Sequence, residues 1–243
     1  MVEITRRTSE IVKSIDPNAK IVAPGFTGAT SGRLDLFLDA GGGQYVDVIA
    51  HHFYALHPQQ MLERINLVKK SMVNHGYGHL ELWNTESGYT VGNIETHGGI
   101  AGVSNLDHET MRAYVAQSLA LAASAGVRRY FWYAWDNGTT GMASPDGSRP
   151  LPGGIAYAAM RRWLMGKRVV DCREANRSLW TCLLTNGNRE ERIIWSTKPY
   201  EEVVLPDSWS GNSILSLDGS ELTISTARSI SVGLTPVLLT SSP

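Results

Sequence analysis

The chain has no apolar run approaching the roughly 18 residues that a membrane-spanning helix needs, and Met1 to Arg7 are too polar for the core of a signal peptide. It reads as a soluble chain. Cysteine is scarce: Cys172 and Cys182 are the whole complement, too few for a disulfide framework. They can form one bridge if oxidised, but two half-buried thiols are the expectation. Charge of one sign is not in excess either, since 22 basic residues oppose 23 acidic ones and the two kinds are mixed along the chain. No electrostatic footprint for nucleic acid or an anionic membrane results, and neither is expected as a partner.

Three motifs are also absent. There is no G-x-S-x-G elbow, so His97-Gly98-Gly99 is not read as an oxyanion-hole loop. The glycines at 41 to 43 lack the G-x-G-x-x-G spacing and follow a helix rather than a strand, so no dinucleotide site is implied. His51 and His52 have no helical His-x3-His partner, and neighbours on a strand face opposite ways. Neither a metal nor a cofactor is expected.

What is present is an ordinary apolar share, 42% of 243 residues, with two periodicities in succession. Val2 to Ile15 places Ile4, Ile11, Val12 and Ile15 on one helical face, and Asp16-Pro17 ends it. Buried strands are expected at Lys20–Ala23, Tyr45–Tyr54, Leu80–Glu86 and Arg129–Trp135, each followed by a helix: Arg33–Ala40, Pro58–His75, a helix capped by Asp107 and ended by Gly126, and Gly154–Met165. This alternation predicts parallel α/β pairing. After Lys167 the period falls to two, in short runs separated by turns such as Asn186-Gly187-Asn188 and Asp218-Gly219, the pattern of a small antiparallel sandwich. The expected boundary therefore divides residues 1–166 from 167–243.

In a parallel assembly the chemistry gathers at the C-terminal strand ends, where the βα loops open. Three ends are rich in functional groups: His51-His52-Phe53-Tyr54, Trp83-Asn84-Thr85-Glu86-Ser87-Gly88 and Trp132-Tyr133-Ala134-Trp135-Asp136-Asn137. Period two pairs His52 with Tyr54, Asn84 with Glu86, and Tyr133 with Trp135. A carboxylate, a phenol, an imidazole and an indole together suit a sugar. The carboxylate can attack an anomeric carbon, the phenol can hold that carboxylate ionised, and the indole face packs on pyranose C–H groups.

The strands IAHHFY, LELWNTESGY and YFWYAWDN, in that order, resemble strands six, seven and eight of clan A glycoside hydrolases, nearest to the β-xylosidase and α-L-iduronidase type. The tail resembles the β-sandwich that often follows such a barrel. The resemblance implies a partial (β/α)8 barrel, strands five to eight, and a retaining mechanism with Glu86 as nucleophile. Tyr54 is then its hydrogen-bond partner, His52 and Asn84 sugar contacts, and Trp135 the floor of the subsite. A carbohydrate is the implied partner.

The family's acid/base glutamate stands in an Asn-Glu pair at the end of strand four, and this sequence has no Asn-Glu dipeptide. Retention needs two carboxyls about 5 to 5.5 Å apart, so the chain carries half of the usual pair. Glu81, Glu95, Asp107 and Asp136 are substitutes by residue type, and of these Glu95, in the long loop after strand seven, is the one with freedom to fold over the site. The unpaired edges of a half-barrel predict a homo-oligomer that covers them. Three functions follow: a residual retaining glycosidase, a non-catalytic carbohydrate-binding remnant, or an inert fragment.

Overall fold

A computed structural model of the protein describes residues 1–91, 105–209, 211–222, 224 and 228–240. Glu95 and His97-Gly98-Gly99 lie outside the described residues. In chain order the first elements are α1 (Val2–Ile15), β1 (Phe26–Thr27), α2 (Gly32–Asp39), β2 (Val48–His52), α3 (Pro58–Asn74) and β3 (Glu81–Ser87). They are followed by β4 (Thr90–Val91), β5 (Asn105–Leu106), α4 (His108–Ser124), β6 (Val127–Trp132) and α5 (Pro152–Leu164). Residues 1–88 with 125–133 form one compact unit, and 89–91, 105–124 and 134–240 form another.

The first unit is built on a parallel sheet in the order β1-β2-β3-β6. Strand β2 is central, and all of Val48 to His51 is buried, as expected where both faces of a parallel strand are covered. Helix α3 begins on Pro58, whose missing N–H costs nothing in a first turn, with His57 accepting from the Gln60 N–H. Met61, Ile65, Val68 and Met72, spaced four, three and four residues apart, form its buried face.

Three expectations change in this unit. The Lys20–Ala23 run is extended but forms no strand; it makes a single bridge, Val22 to Val48, because the Asp47 carboxylate takes the Ile21 N–H at 2.7 Å. The strand proper is β1, beyond Pro24-Gly25. Helix α1 forms as expected, but its isoleucine face is uncovered: Ile4, Ile11 and Ile15 are all exposed, while Thr5 is the buried position. Edge strand β6 likewise mixes exposed and half-buried residues instead of being buried throughout.

The second unit carries β7 (Arg168–Glu174), β8 (Leu179–Asn186), β9 (Arg189–Ser196), β10 (Glu201–Val204), β11 (Ser213–Leu215), β12 (Glu221–Leu222), β13 (Ser229–Val232) and β14 (Val237–Thr240). An antiparallel sheet runs β12-β11-β14-β9-β8-β7, and β10 pairs antiparallel with β13. Leu179, Ile194, Ile214, Val237 and Leu239 from the large sheet share a core with Val203, Ile230 and Val232 from the pair. The β8–β9 turn places Gly187 at φ 59°, a left-handed position that glycine occupies without a Cβ penalty. The sequence reading passes over β13, although its Ser-Ile-Ser-Val buries alternate residues.

The thiol expectation is corrected. The β7–β8 register sets Cys172 directly opposite Cys182, and the two form a disulfide. Helix α4 is capped as expected, with Asp107 accepting from the Thr110 N–H at 2.7 Å. It packs against α5, where Gly153 comes so near Met111 and Val115 that a Cβ there would lie 3.3 and 3.6 Å from them. No helix among the described residues is long and apolar enough to cross a membrane.

Candidate functional site

The C-terminal ends of β2 and β3 bring three of the expected residues together. Alternation along β2 turns His51 inward, 1% exposed and stacked on Phe53 with ring centroids 4.6 Å apart. His52 and Tyr54 take the other side, with ring centroids 6.5 Å apart. The Tyr54 hydroxyl donates to Glu86 Oε1 at 2.8 Å. His52 Nδ1 stands 3.7 Å from the same oxygen, too long for a hydrogen bond but close enough for attraction when the ring is protonated. The Glu86 side chain remains 35% exposed, so an incoming molecule can reach it.

A register irregularity in β3 sits at this carboxylate. Asn84 pairs with Tyr130 and Ser87 with Trp132, so three steps along β3 match two along β6. The extra residue makes a bulge, the local device that re-aims a side chain out of a ladder. Asn84 and Ser87 are both buried beneath it. With the Asn84 amide oriented to satisfy both of its ends, its nitrogen donates to the carbonyls of His51 (3.2 Å) and Glu86 (3.1 Å), and its oxygen accepts from Ser87 Oγ (2.7 Å). Ser87 Oγ also lies 2.9 Å from the Tyr130 hydroxyl. Asn84, expected to meet a sugar, is 0% exposed and instead ties β2 to the turn that carries Glu86. Ser87 and Tyr130 in this web escaped sequence reasoning, because their roles depend on a bulge that local pattern does not announce.

Burial, then the hydrogen bond to Glu86 and its charge, hold the Tyr54 phenol far above the ordinary tyrosine range, so it stays a donor to the carboxylate. Tyr54→Phe is expected to slow any reaction at Glu86 by about tenfold to a hundredfold, the worth of a hydrogen bond to a charged group. Single-turnover rates measure it, and an unchanged rate would remove Tyr54 from the machinery.

His51 is pushed down to about 4, chiefly by burial. Its folded value lies below the unfolded one, so the unfolded chain binds the proton more readily. The stability is therefore complete above about pH 6.5 and is lost as pH falls toward 4. About 3 kcal/mol should disappear across that window, and His51→Gln should flatten the decline. Urea unfolding at a series of pH values is the measurement; parallel acid limbs in both proteins would contradict it.

The other expected residues lie elsewhere. Strand β6 ends at Trp132, so strand alternation does not extend to Trp135. Trp135 belongs to the second unit, where its carbonyl accepts from the Met142 and Ala143 N–H groups and its residue is 52% exposed. Trp132 is half-buried and stacked with Tyr130, centroids 6.3 Å apart. Glu81 is committed at the opposite end of β3, paired with Lys20 and accepting from the Trp83 indole N–H at 2.8 Å. Asp107 is committed as the helix cap. Among the described residues no cluster of three or more metal-ligating side chains occurs.

No protein-family model matches the chain, and no curated protein does. Solved structures do. A GH39 β-xylosidase from Caulobacter crescentus aligns over 100% of this chain and 61% of its own, with a TM-score of 0.64 at 16% identity. A GH30 endoxylanase from Clostridium papyrosolvens aligns over 99% and 60%, with a TM-score of 0.63 at 14% identity. A family 86 β-porphyranase from the gut bacterium Bacteroides plebeius aligns over 99% and 52%, with a TM-score of 0.63 at 15% identity. The chain thus spans less than two thirds of the length of these proteins. At such identities the shared property is architecture: a parallel-stranded α/β sheet joined to antiparallel β-sheets, a glycoside hydrolase-like fold.

Proposed function

We propose that the protein is a retaining glycosidase-type protein in which Glu86 attacks the anomeric carbon of a carbohydrate. The observation that carries this reading is the Tyr54 hydroxyl at 2.8 Å from a Glu86 carboxylate that is still open to solvent, at the C-terminal end of a parallel sheet. On this reading residues 1–166 correspond to barrel strands five to eight and 167–243 to the accompanying β-sandwich. Tyr54 holds the carboxylate aligned, His52 meets a sugar hydroxyl, Asn84 positions the nucleophile, and Trp135 supplies a stacking face.

Retention requires a second carboxyl that protonates the leaving group and then activates water. This sequence lacks the Asn-Glu pair that supplies it in the family it resembles. The residues of this sequence by themselves therefore serve glycosides whose leaving groups need no proton, and other glycosides require an acid supplied from outside them.

The test is intact-mass analysis with peptide mapping after incubation with 2,4-dinitrophenyl 2-deoxy-2-fluoro-glycosides of the xylo, gluco and related series. These probes expel their leaving group unaided, so they interrogate the nucleophile alone. One glycosyl unit on Glu86 is the expected result and identifies the sugar. An unlabelled, folded protein that still binds these sugars saturably would replace the enzyme with a carbohydrate-binding remnant; neither labelling nor binding would leave an inert fragment.

We also propose self-association. Among the described residues strands β1 and β6 are the outer strands of the parallel sheet, and Ile4, Ile11, Ile15 and Phe131 are exposed apolar side chains in the same unit. Sedimentation velocity at micromolar concentration should show a dimer or higher oligomer that Ile11→Lys weakens. A single monomeric boundary would reject it.

A further inference from the structure

The bulge that aims Glu86 has to be held at a fixed span, and one residue of β6 reaches both of its ends. Tyr130 is the ladder partner of Asn84, the last β3 residue in register before the surplus position. Its hydroxyl extends past the bulge to Ser87 Oγ, 2.9 Å away, and Ser87 is where the ladder resumes, opposite Trp132. The backbone of Tyr130 thus fixes the near end and its side chain the far end. The Tyr130 ring is stacked on Trp132 with an interplanar angle of 23°, which restrains the phenol over Ser87.

The protons available set the direction of these bonds. Ser87 has one hydroxyl proton, and it goes to the Asn84 amide oxygen at 2.7 Å. Ser87 Oγ then accepts, and the Tyr130 hydroxyl donates to it in preference to Met61 Sδ, a weaker acceptor 3.5 Å away. The Asn84 nitrogen in turn donates to the carbonyls of His51 and Glu86. A relay of donors therefore starts on β6, passes through Ser87 and Asn84, and ends on the peptide carbonyl of Glu86. Both middle members are buried, at 2% and 0% exposed, so bulk water does not stand in for a missing link.

From this arrangement we infer that Tyr130 is a positioning residue for the nucleophile. It holds the bulge at the span that turns the Glu86 carboxylate toward Tyr54, and it acts through Ser87 and Asn84, not on the substrate. The inference rests on Glu86 as nucleophile. Attack on an anomeric carbon demands close approach and alignment, so a small displacement of the carboxylate slows bond formation. Affinity for the sugar, set by other contacts, stays the same.

Tyr130→Phe keeps the ring and its stacking and removes only the hydroxyl. Labelling by the 2,4-dinitrophenyl 2-deoxy-2-fluoro-glycoside that modifies the parent protein yields a rate at saturation and a half-saturating concentration. The variant should label about tenfold more slowly at saturation with an unchanged half-saturating concentration. Ser87→Ala should do the same, and the double variant should be no slower than either single one, because both break one relay. Val68→Ala, on the buried face of α3 and apart from the relay, supplies a variant of lowered stability whose saturated rate should equal that of the parent. A Tyr130→Phe rate within about twofold of the parent, a raised half-saturating concentration at unchanged rate, or effects that multiply in the double variant would each overturn the inference. Amide exchange gives a readout that needs no chemistry at Glu86. The Tyr133 N–H donates to the Ser87 carbonyl across the bulge, and its exchange should quicken about tenfold in Tyr130→Phe but not in Val68→Ala. If no probe labels the parent protein, the nucleophile reading fails, and exchange at Tyr133 still decides whether Tyr130 holds the bulge. An unchanged exchange rate would remove that role as well.

Discussion

Glu86→Gln should lower turnover of activated aryl glycosides by at least about four orders of magnitude, as expected when the covalent nucleophile is removed. The amide has nearly the shape of the carboxylate and can still accept from Tyr54, so the folded structure should survive with a stability change below about 1 kcal/mol. Glu86→Ala opens space instead. With azide supplied, the anion can enter in place of the carboxylate, and the product should be a glycosyl azide of anomeric configuration opposite to the substrate. Turnover in Glu86→Gln within tenfold of the parent would show that bond cleavage occurs elsewhere, and this assignment would be abandoned.

The second large effect concerns the backbone beside that carboxylate. A Cβ on residue 88 would stand 2.4 Å from the Tyr133 carbonyl oxygen and 3.5 Å from the Trp132 indole. The same two segments are held together by the Tyr133 N–H donating to the Ser87 carbonyl at 2.9 Å. Gly88→Ala must therefore separate the end of β6 from the turn that carries Glu86, because the Tyr133 carbonyl oxygen cannot move independently of the backbone. A loss of about 2 to 3 kcal/mol is expected from overpacking against a backbone atom. Urea midpoints report the stability, and labelling rates report the displacement of the carboxylate. A variant as stable and as reactive as the parent would show that the two segments are not packed at this distance.

Some parts of the site were legible from local pattern, and one from the resemblance. Alternation along β2 predicts that His52 and Tyr54 share a side, and they do. The resemblance implied that Tyr54 is the hydrogen-bond partner of Glu86, and the two lie 2.8 Å apart. Asp107 reads as a cap from its position before an apolar helix, and it caps. Asn84 was misread because alternation was carried across a bulge, beyond which period two no longer assigns facing. Trp135 lies past the last ladder residue of β6, so strand logic did not apply to it. The cysteine pair depended on the β7–β8 register, which spacing alone does not set. The helical face of α1 was found correctly, but no sequence pattern reports whether a neighbour covers it.

The bulge has a consequence for how this site can change. Asn84 and Ser87 anchor the ladder on either side of it, and the surplus position lies between them. Substitution can alter what Glu86 touches, but not the count of residues that aims it. Deleting Thr85 would bring Glu86 into register with Phe131, one step from Asn84, and so set the carboxylate on the face opposite to Asn84. The orientation of the nucleophile is thus recorded in chain length.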